Sequence, residues 1–296
     1  MIPLVFSLPG LEDFSEKFTQ HLGGEAGYLL THSFPDGETY LRVPSECRNR
    51  KVVLLANLSH PNEKILPLLL LGETLRDLGA KEVLLVCPYL PYMRQDKRFQ
   101  PGEGVTSRYF AKLLSRYFDA LWTVNPHLHR FSSLKEIYSV SSQVVDAGPQ
   151  LGRWIRSSVK KPFLVGPDRE SQQWVQSIAE SIDVPYRVGE KLRRGDREVS
   201  VSLPDLTSLA DHTPVLVDDI ISTGQTLVRA MEELGKQGLP EPVCVVIHAL
   251  FAEGAEEALQ QAGVQELVTT NTIPHPSNRI DLSEVLAQSV GNHLFK

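Results

Sequence analysis

The segment at residues 215–226 constrains the fold of this chain more than any other. Its sequence, VLVDDIISTGQT, runs from three apolar residues into two adjacent carboxylates, and a small, hydroxyl-rich loop follows. Leu227, Met231 and Leu234 then recur at helical spacing. A strand, a tight loop and a helix in this order are typical of a parallel sheet, where loop amides and the positive helix end converge on one anion.

Two acidic residues, Asp218 and Asp219, would lie beside that anion, where carboxylates can accept hydrogen bonds from vicinal hydroxyls. The combination favours a phosphorylated sugar as ligand. The alternative is a plain turn with surface acids, because Asp, Ser, Thr and Gly are common turn residues. No GxxxxGK[ST] motif occurs in the sequence, which excludes a Walker-type loop.

Composition sets broad limits on function. The chain has 296 residues, a hydrophobic fraction of 42% and a formal net charge of −6, which is typical of a folded protein of one or two domains. The negative charge argues against nucleic-acid binding, which needs a basic face. The longest apolar run, residues 65–71, is far shorter than the ~20 residues that span a bilayer, and no signal-peptide pattern opens the chain. We therefore expect a cytoplasmic protein that binds neither membranes nor nucleic acid.

Apolar and amphipathic segments alternate along the chain. The helical patterns between the apolar segments predict right-handed crossovers and mostly parallel sheets flanked by helices, so the expected fold class is α/β. The apolar segments are rich in Val, Leu and Ile without strict alternation, which is typical of strands covered on both faces. They comprise residues 51–56, 82–87, 120–124, 162–166, 214–217, 243–249 and 266–270.

A small, polar stretch at residues 139–150 marks the predicted domain boundary. We expect an N-terminal α/β domain over 1–143 and a C-terminal α/β domain over 144–296, whose last residues are candidates for packing back on the first. The second domain could be a diverged copy of the first, although no direct sequence repeat links them. The charge run at 190–197, followed by a Val/Ser alternation, predicts a hairpin or a mobile flap.

The motifs together resemble one known family. Residues 218–226 resemble the 5-phosphoribosyl-1-diphosphate (PRPP) loop of type I phosphoribosyltransferases and of ribose-phosphate diphosphokinases. Residues 34–38 (FPDGE) and 94–98 (RQDKR) resemble the F-x-D-G-E and R-Q-D-(R/K)-R segments of the diphosphokinases alone. Residues 125–127 (NPH) and 272–274 (TIP) complete the pattern in the family's order, in a form closer to its archaeal-type members.

This resemblance implies a fold and a reaction. The fold would be two domains of the type I phosphoribosyltransferase kind. The reaction would transfer the diphosphoryl group of Mg-ATP to the anomeric hydroxyl of ribose 5-phosphate, giving PRPP and AMP. In this family the F-x-D-G-E loop completes a neighbour's active site, so a homo-oligomer, dimer or higher, with the ATP site at a subunit interface is also implied.

The resemblance also assigns binding residues. From the residues alone, Asp36-Gly37 is a common turn, and the cations at 94–98 could form either a solvated face or a site for a triphosphate. The nucleotide is assigned to Phe34, Asp36, Glu38, Arg94, Gln95, Asp96 and His127. Ribose 5-phosphate is assigned to Asp218, Asp219, Ser222, Thr223, Gly224, Gln225 and Thr226.

Metal binding and catalysis are assigned to four residues. His127 and Asp168 each follow a predicted strand, where ligand-binding residues of open α/β sheets gather. The resemblance places Mg²⁺ on both, with waters and phosphate oxygens completing an octahedron. It assigns catalysis to Lys191 and Arg193, because a flap that brings positive charge stabilises a transferring phosphoryl group. The structural alternatives are a lone core histidine and a solubilising loop.

Two positions depart from the family's pattern, and two other functions remain open. Glu170-Ser171 stands where many members have a small pair whose amides cradle the pyrophosphate, and Ser171 could instead cap the next helix. Ser222 stands where main-type bacterial members have an acid. A type I phosphoribosyltransferase would share the loop at 218–226 without needing the segments at 34–38 and 94–98. A non-catalytic regulatory homologue of the synthetase is the other alternative, supported mainly by Glu170-Ser171.

Overall fold

The computed structural model describes residues 2–194 and 198–295, with the backbone alone for residues 191–194 and 198–200. The contacts divide the chain into two compact units. Unit 1 comprises Met1–Val145 and Leu282–Lys296, and unit 2 comprises Asp146–Asp281. No helix within the described ranges is both long and apolar enough to cross a bilayer.

Unit 1 is built from alternating strands and helices. Its strands are β1 (Leu4–Ser7), β2 (Glu25–Ala26), β3 (Leu30–Ser33), β4 (Thr39–Arg42), β5 (Lys51–Leu55), β6 (Glu82–Val86), β7 (Ala120–Val124) and β8 (Ser141–Val145). Its first three helices are α1 (Glu12–Leu22), α2 (Asn62–Asp77) and α3 (Thr106–Tyr117). A parallel sheet has the order β2-β1-β5-β6-β7-β8, and β3 and β4 form a separate antiparallel hairpin.

Unit 2 has the same plan. Its strands are β9 (Pro162–Gly166), β10 (Tyr186–Val188), β11 (Glu190–Arg194), β12 (Glu198–Ser202), β13 (Thr213–Ile221), β14 (Val243–Ala249), β15 (Glu266–Thr270) and β16 (Asn278–Ile280). Its helices are α4 (Gly148–Ser158), α5 (Gln172–Ile182), α6 (Gln225–Lys236) and α7 (Ala255–Gln261). The parallel sheet has the order β10-β9-β13-β14-β15-β16, and β11 and β12 pair as an antiparallel hairpin.

The two units therefore repeat one topology. In each, the second strand forms one edge, a hairpin follows it, and the chain then enters the centre of the sheet as β5 or β13. The hairpin β3–β4 in unit 1 is thus the topological counterpart of β11–β12 in unit 2. The prediction of a mostly parallel sheet flanked by helices is confirmed in both halves, and the shared order indicates a duplication that the sequence does not preserve.

The central strands are apolar because both of their faces are covered. In β5, β6 and β14 almost every side chain is buried, including Val53, Leu84 and Val245 at 0% exposure. Parallel strands buried on both faces need apolar residues at every position, which is why they read as continuous runs.

The last helix, α8 (Ser283–Leu294), packs in unit 1 against α1. Trp122 at the centre of β7 donates its indole N–H to Ser289 Oγ at 3.0 Å. His293 Nε2 lies 3.1 Å from Glu82 Oε1, and Lys51 Nζ donates to the carbonyl oxygen of Leu294 at 2.9 Å. These polar contacts fix α8 against the strands β5, β6 and β7.

The polar stretch at 139–150, expected as a domain boundary, contains an edge strand and the start of a helix. β8 is the outermost strand of its sheet, and only Ser142 and Val145 among its five residues are buried. An edge strand with one partly covered face needs few apolar residues. The sequence of β8, SSQVV, therefore lacks the apolar pattern from which a strand is predicted.

Candidate active site

The acid pair lies inside a strand and not beyond its end. β13 runs to Ile221, so the expected strand at 214–217 was too short. The neighbouring strand β14 reaches Ala249, which pairs with Ile221, and this extends the ladder past both acids. The Asp219 N–H donates to Asp218 Oδ1 at 2.9 Å, which fixes the first carboxylate against the backbone of the second.

Three carboxylates share this end of the unit 2 sheet. Burial, followed by the negative charges of Asp219 and Asp168, raises the pKa of the Asp218 carboxyl well above its usual range. The shift therefore reflects limited access of solvent first and the neighbouring negative charges second. A cation or a hydroxyl-rich ligand would stabilise the ionised form there.

Residues 222–224, here called the phosphate loop, connect β13 to α6. Gly224 precedes the helix with φ +72°, a left-handed conformation that favours glycine, and no side chain caps α6. The first turn of α6 therefore presents backbone N–H groups that lack a capping side chain, and the positive helix end adds to them. This is a suitable place for a phosphate group.

The loop is anchored from behind by backbone hydrogen bonds. The Ala252 N–H donates to the Ser222 carbonyl oxygen at 2.8 Å, and the N–H groups of Leu250 and Phe251 donate to that of Ile221 at 3.1 Å. The predicted phosphosugar residues are therefore collected in one place in unit 2. Gly224 is buried, Ser222 and Thr226 are half-buried, and Thr223 and Gln225 are exposed.

Asp168 begins the turn after β9, the strand beside β13. Its Oδ1 accepts the Glu170 N–H at 3.0 Å, and its carbonyl oxygen accepts the Ser171 hydroxyl at 2.6 Å. Ser171 occupies the N-cap position of α5, as the structural alternative suggested, but its hydroxyl closes the Asp168 turn and makes no capping hydrogen bond to the helix. The Glu170 side chain is exposed.

Residues 190–194 of the charge run pair with residues 198–202 as the antiparallel hairpin β11–β12, in agreement with the predicted hairpin, while residues 195–197 lie outside the described part of the chain. Lys191 pairs with Val201 and Arg193 with Val199, but the side chains of both predicted catalytic residues lie outside the described part of the chain. At the base of the hairpin, Glu190 Oε1 lies 2.5 Å from Arg169 Nη2. This ion pair joins the hairpin to the turn that carries Asp168, and neither charge was predicted to act there.

In unit 1, the nucleotide segment at 34–38 forms the tip of the hairpin β3–β4. The Phe34 N–H donates to the Glu38 carbonyl oxygen at 2.7 Å, and Asp36 Oδ1 accepts the Glu38 N–H at 3.2 Å. Phe34 is 44% exposed and contacts His32 and Tyr40 edge-on, while His32 stacks on Tyr40 at 4.4 Å between ring centroids. The tip therefore presents an exposed aromatic face beside two carboxylates.

The second nucleotide segment, 94–98, lies in the loop between β6 and α3. Arg94, Lys97 and Arg98 are exposed. Asp96 in the same segment is more buried: its side chain is 6% exposed, and its Oδ1 lies 3.3 Å from Arg130 Nε. Its place is thus set by an ion pair within unit 1. The sequence offered no signal for this partner, which lies on a different loop.

His127 follows β7, in unit 1. It is half-buried, and its ring lies 3.7 Å from that of His129 between centroids. Asn125, with φ +30°, turns the chain at the strand end, and its N–H donates to the Val145 carbonyl oxygen at 3.2 Å. The other predicted metal ligand, Asp168, belongs to unit 2.

The described parts of the chain hold no group of three or more His, Cys, Asp or Glu side chains arranged to bind a metal. Magnesium does not need such a cage, because it usually takes one or two carboxylates and completes its shell with water and substrate phosphates. The carboxylates of Asp168 and Asp218 fit that requirement, since the charge of Asp168 adds to the raised pKa of Asp218.

Comparisons with known proteins agree with this geometry. Two family models match the chain: the N-terminal domain of ribose phosphate pyrophosphokinase over residues 4–117, and the phosphoribosyl transferase domain over residues 140–283.

Several curated relatives are named ribose-phosphate pyrophosphokinase. The one from Sulfurisphaera tokodaii is 34% identical over 264 residues, covering 87% of this chain and 89% of the relative. The one from Methanopyrus kandleri is 33% identical over 279 residues, covering 93% of this chain and 94% of the relative. A crystal structure of phosphoribosylpyrophosphate synthetase from Mycobacterium smegmatis superposes with a TM-score of 0.87 over 100% of this chain and 99% of that one, and at 21% identity it supports the fold alone.

Proposed function

Because this chain belongs to the ribose-phosphate pyrophosphokinase family, we propose that it transfers the diphosphoryl group of ATP to the anomeric hydroxyl of ribose 5-phosphate. The products are PRPP and AMP. The observation that carries the proposal is the uncapped start of α6, directly after the acid pair on β13. That arrangement offers amide donors to a phosphate and carboxylate acceptors to a sugar within a few residues.

Ribose 5-phosphate is held by unit 2. The 5-phosphate binds the amides and hydroxyls of Ser222, Thr223, Gly224, Gln225 and Thr226, while Asp218 and Asp219 accept hydrogen bonds from the ribose diol. The raised pKa of Asp218 supports this role. The ionised form of a carboxylate that lies near two others is strongly stabilised by a ligand that donates hydrogen bonds to it.

ATP is placed by residues of unit 1. The exposed ring of Phe34 offers a stacking surface to the base, with Asp36 and Glu38 as acceptors for its amino group. Arg94 offers a forked cation to the triphosphate, with Gln95 and His127 contributing polar contacts. Asp96 acts indirectly, because its ion pair with Arg130 positions the loop that carries Arg94.

Magnesium is assigned to Asp168 and His127. When bound, the ion neutralises charge on the triphosphate and orients it. The carboxylate-rich surroundings of Asp168 support a divalent cation there.

Catalysis relies on positive charge and positioning. The anomeric hydroxyl attacks the β-phosphorus of ATP in line and AMP leaves, so no covalent enzyme intermediate is needed. Lys191 and Arg193, on the hairpin β11–β12, stabilise charge on the transferring group, and closure of the hairpin excludes water. We also propose that the enzyme is a homo-oligomer in which the exposed hairpin tip around Phe34 completes the ATP site of a neighbouring subunit.

One experiment tests the function. Purified protein is incubated with Mg-ATP and ribose 5-phosphate, with no nucleobase present, and the mixture is assayed for AMP and an acid-labile diphosphate sugar. Formation of both supports the proposal. Pyrophosphate release that requires PRPP and a base would identify a phosphoribosyltransferase. Binding of ribose 5-phosphate without any turnover would identify a regulatory homologue.

A further inference from the structure

The segment Thr272-Ile273-Pro274 has no part in the proposed reaction, yet it is firmly held in unit 2. Thr270 Oγ1 and Thr272 Oγ1 both donate to the Ile247 carbonyl oxygen, at 2.7 and 3.0 Å. Thr272 Oγ1 also lies 2.9 Å from Nδ1 of the buried His248. These bonds fasten the segment after β15 to the end of β14, which lies beside β13 and the phosphate loop.

His275, the residue after this segment, is fixed by hydrogen bonds on both ring nitrogens. Nδ1 accepts the Ser277 N–H at 3.2 Å and lies 2.7 Å from Ser277 Oγ. An Nδ1 that accepts an N–H carries no proton itself, so the proton of the neutral ring is on Nε2. Nε2 therefore donates to Glu256 Oε1, at 2.9 Å.

The fixed ring touches both supports of the phosphate loop. On one side it packs on Phe251, with 4.4 Å between ring centroids. Phe251 has φ +35°, a conformation that is unfavourable for an aromatic residue, and its N–H donates to the Ile221 carbonyl oxygen. The next residue, Ala252, donates to the carbonyl oxygen of Ser222 at 2.8 Å.

The second support is helix α7. Glu256, the partner of His275 Nε2, lies in its first turn. The residue before it, Ala255, places its carbonyl oxygen 3.5 Å from the position that a Cβ on Gly224 would occupy. The start of α7 therefore packs directly on the residue that precedes α6.

We propose that His275 is a positioning residue for the phosphate loop, acting through Phe251 on one side and Glu256 on the other. The inference rests on the proposed function of that loop as the ribose 5-phosphate site. Amide donors that bind a phosphate must be held within about 0.5 Å of their productive positions. A residue that contacts both supports of the loop can therefore control affinity without touching the ligand.

The test compares His275→Ala with the matched control His212→Ala in the full-length chain. His212 also pairs with an acid, Asp211, at 2.7 Å, and its ring lies 6.4 Å from that of Phe163, but it precedes β13 at the opposite end of the strand. Affinity for ribose 5-phosphate alone is measured by calorimetry, and KM is measured for each substrate separately.

We expect His275→Ala to weaken ribose 5-phosphate binding about tenfold, in Kd and in KM, with little change in the KM for ATP, because only the phosphate loop loses its support. His275→Gln, which keeps an N–H donor for Glu256, should recover part of the loss. His212→Ala should bind like the parent. An unchanged Kd for ribose 5-phosphate in His275→Ala, or an equal loss of affinity for both substrates, overturns the proposal.

Two further measurements keep the test decisive. If His275→Ala does not fold, as judged by circular dichroism, Glu256→Ala replaces it, because Glu256 is exposed and its loss removes the same hydrogen bond. An unchanged Kd in that variant then overturns the proposal. The calorimetric assay needs no turnover, so a parent protein that binds ribose 5-phosphate but forms no AMP contradicts the proposed function and leaves the role of His275 testable.

Discussion

Gly166 and Ser171 lie so close together that a Cβ atom on residue 166 would be 2.3 Å from Ser171 Oγ. Ser171 is 3% exposed, and its hydroxyl donates to the Asp168 carbonyl oxygen. The missing side chain at the end of β9 is therefore what allows the Asp168 turn to close. Ser171 therefore has a structural role in this turn. That role could not be inferred from the pair of small residues that many family members have at positions 170 and 171.

Gly166→Ala should consequently disturb the turn that carries Asp168. We expect a loss of stability of about 1–3 kcal/mol, as is common for overpacked sites. We also expect kcat to fall at temperatures where the variant is still folded, so that unfolding does not account for the loss of activity. Ser171→Ala alone should be milder, and adding it to Gly166→Ala should restore much of the loss, because the nearest remaining atom, the Cβ of residue 171, would lie 3.4 Å away. Thermal unfolding and initial rates of the three variants form a double-mutant cycle. Strictly additive effects would contradict the clash.

Much of the fold could be predicted because parallel strands covered on both faces leave a continuous apolar signal. β7, β9, β14 and β15 have the bounds expected from their sequences, 120–124, 162–166, 243–249 and 266–270. The predicted strands omit β1, which is only four residues long, and the polar edge strand β8. Short strands and edge strands owe their structure to neighbours that are distant in the sequence.

The site was predictable where its residues are close in sequence and less so where they are not. The phosphate loop and the acid pair were found from one contiguous segment. The extension of β13 to Ile221 was not predicted, because it depends on the length of the neighbouring strand β14. The pairs Asp96–Arg130 and Arg169–Glu190 each join charges on separate loops, and a single sequence does not reveal such partners.

The raised pKa of Asp218 predicts an unusual dependence of stability on pH. A carboxyl whose pKa is higher in the folded protein binds its proton more tightly there, so its contribution to stability is complete below the unfolded pKa of about 3.9. That contribution is lost as the pH rises through the folded value. Asp218→Asn, which removes this half-buried charge, should therefore raise Tm by a few degrees at pH 7–8 and have little effect near pH 4, while activity falls by about 10²–10³-fold.

Asp205 provides a control of opposite sign in the same unit. Hydrogen bonds from the N–H and hydroxyl of Thr207 lower the pKa of this exposed carboxyl. Its contribution is present above the unfolded pKa and disappears as the pH falls through the folded value. Asp205→Asn should thus lower Tm slightly at neutral pH and not in acid. If the curve of Tm against pH for Asp218→Asn runs parallel to that of the parent at every pH, the pKa of Asp218 is not raised in the folded protein.

Lys191→Ala should separate binding from turnover. Lys191 belongs to strand β11 of the hairpin, and in the proposed mechanism its cation stabilises the charge that develops on the transferring group. We expect kcat to fall by about 10³-fold while the Kd of ATP, measured by calorimetry, changes little. Lys160→Ala, an exposed lysine in the same unit, is the matched control. A kcat near that of the parent would remove Lys191 from the mechanism.

Phe34→Ala tests two proposals: that Phe34 belongs to the nucleotide site, and that this site lies between subunits. Loss of the exposed ring should raise the KM for ATP about tenfold, since stacking on a base contributes roughly 1–3 kcal/mol, and should leave the KM for ribose 5-phosphate unchanged. Tyr28→Ala, which removes another exposed aromatic ring of unit 1 at 60% exposure, is the control. Mixing and reassembling Phe34→Ala with Lys191→Ala should then restore activity, because a mixed oligomer combines an intact hairpin tip from one subunit with an intact β11–β12 hairpin from another. Activity that stays at the sum of the two separate variants would place Phe34 in the site of its own subunit.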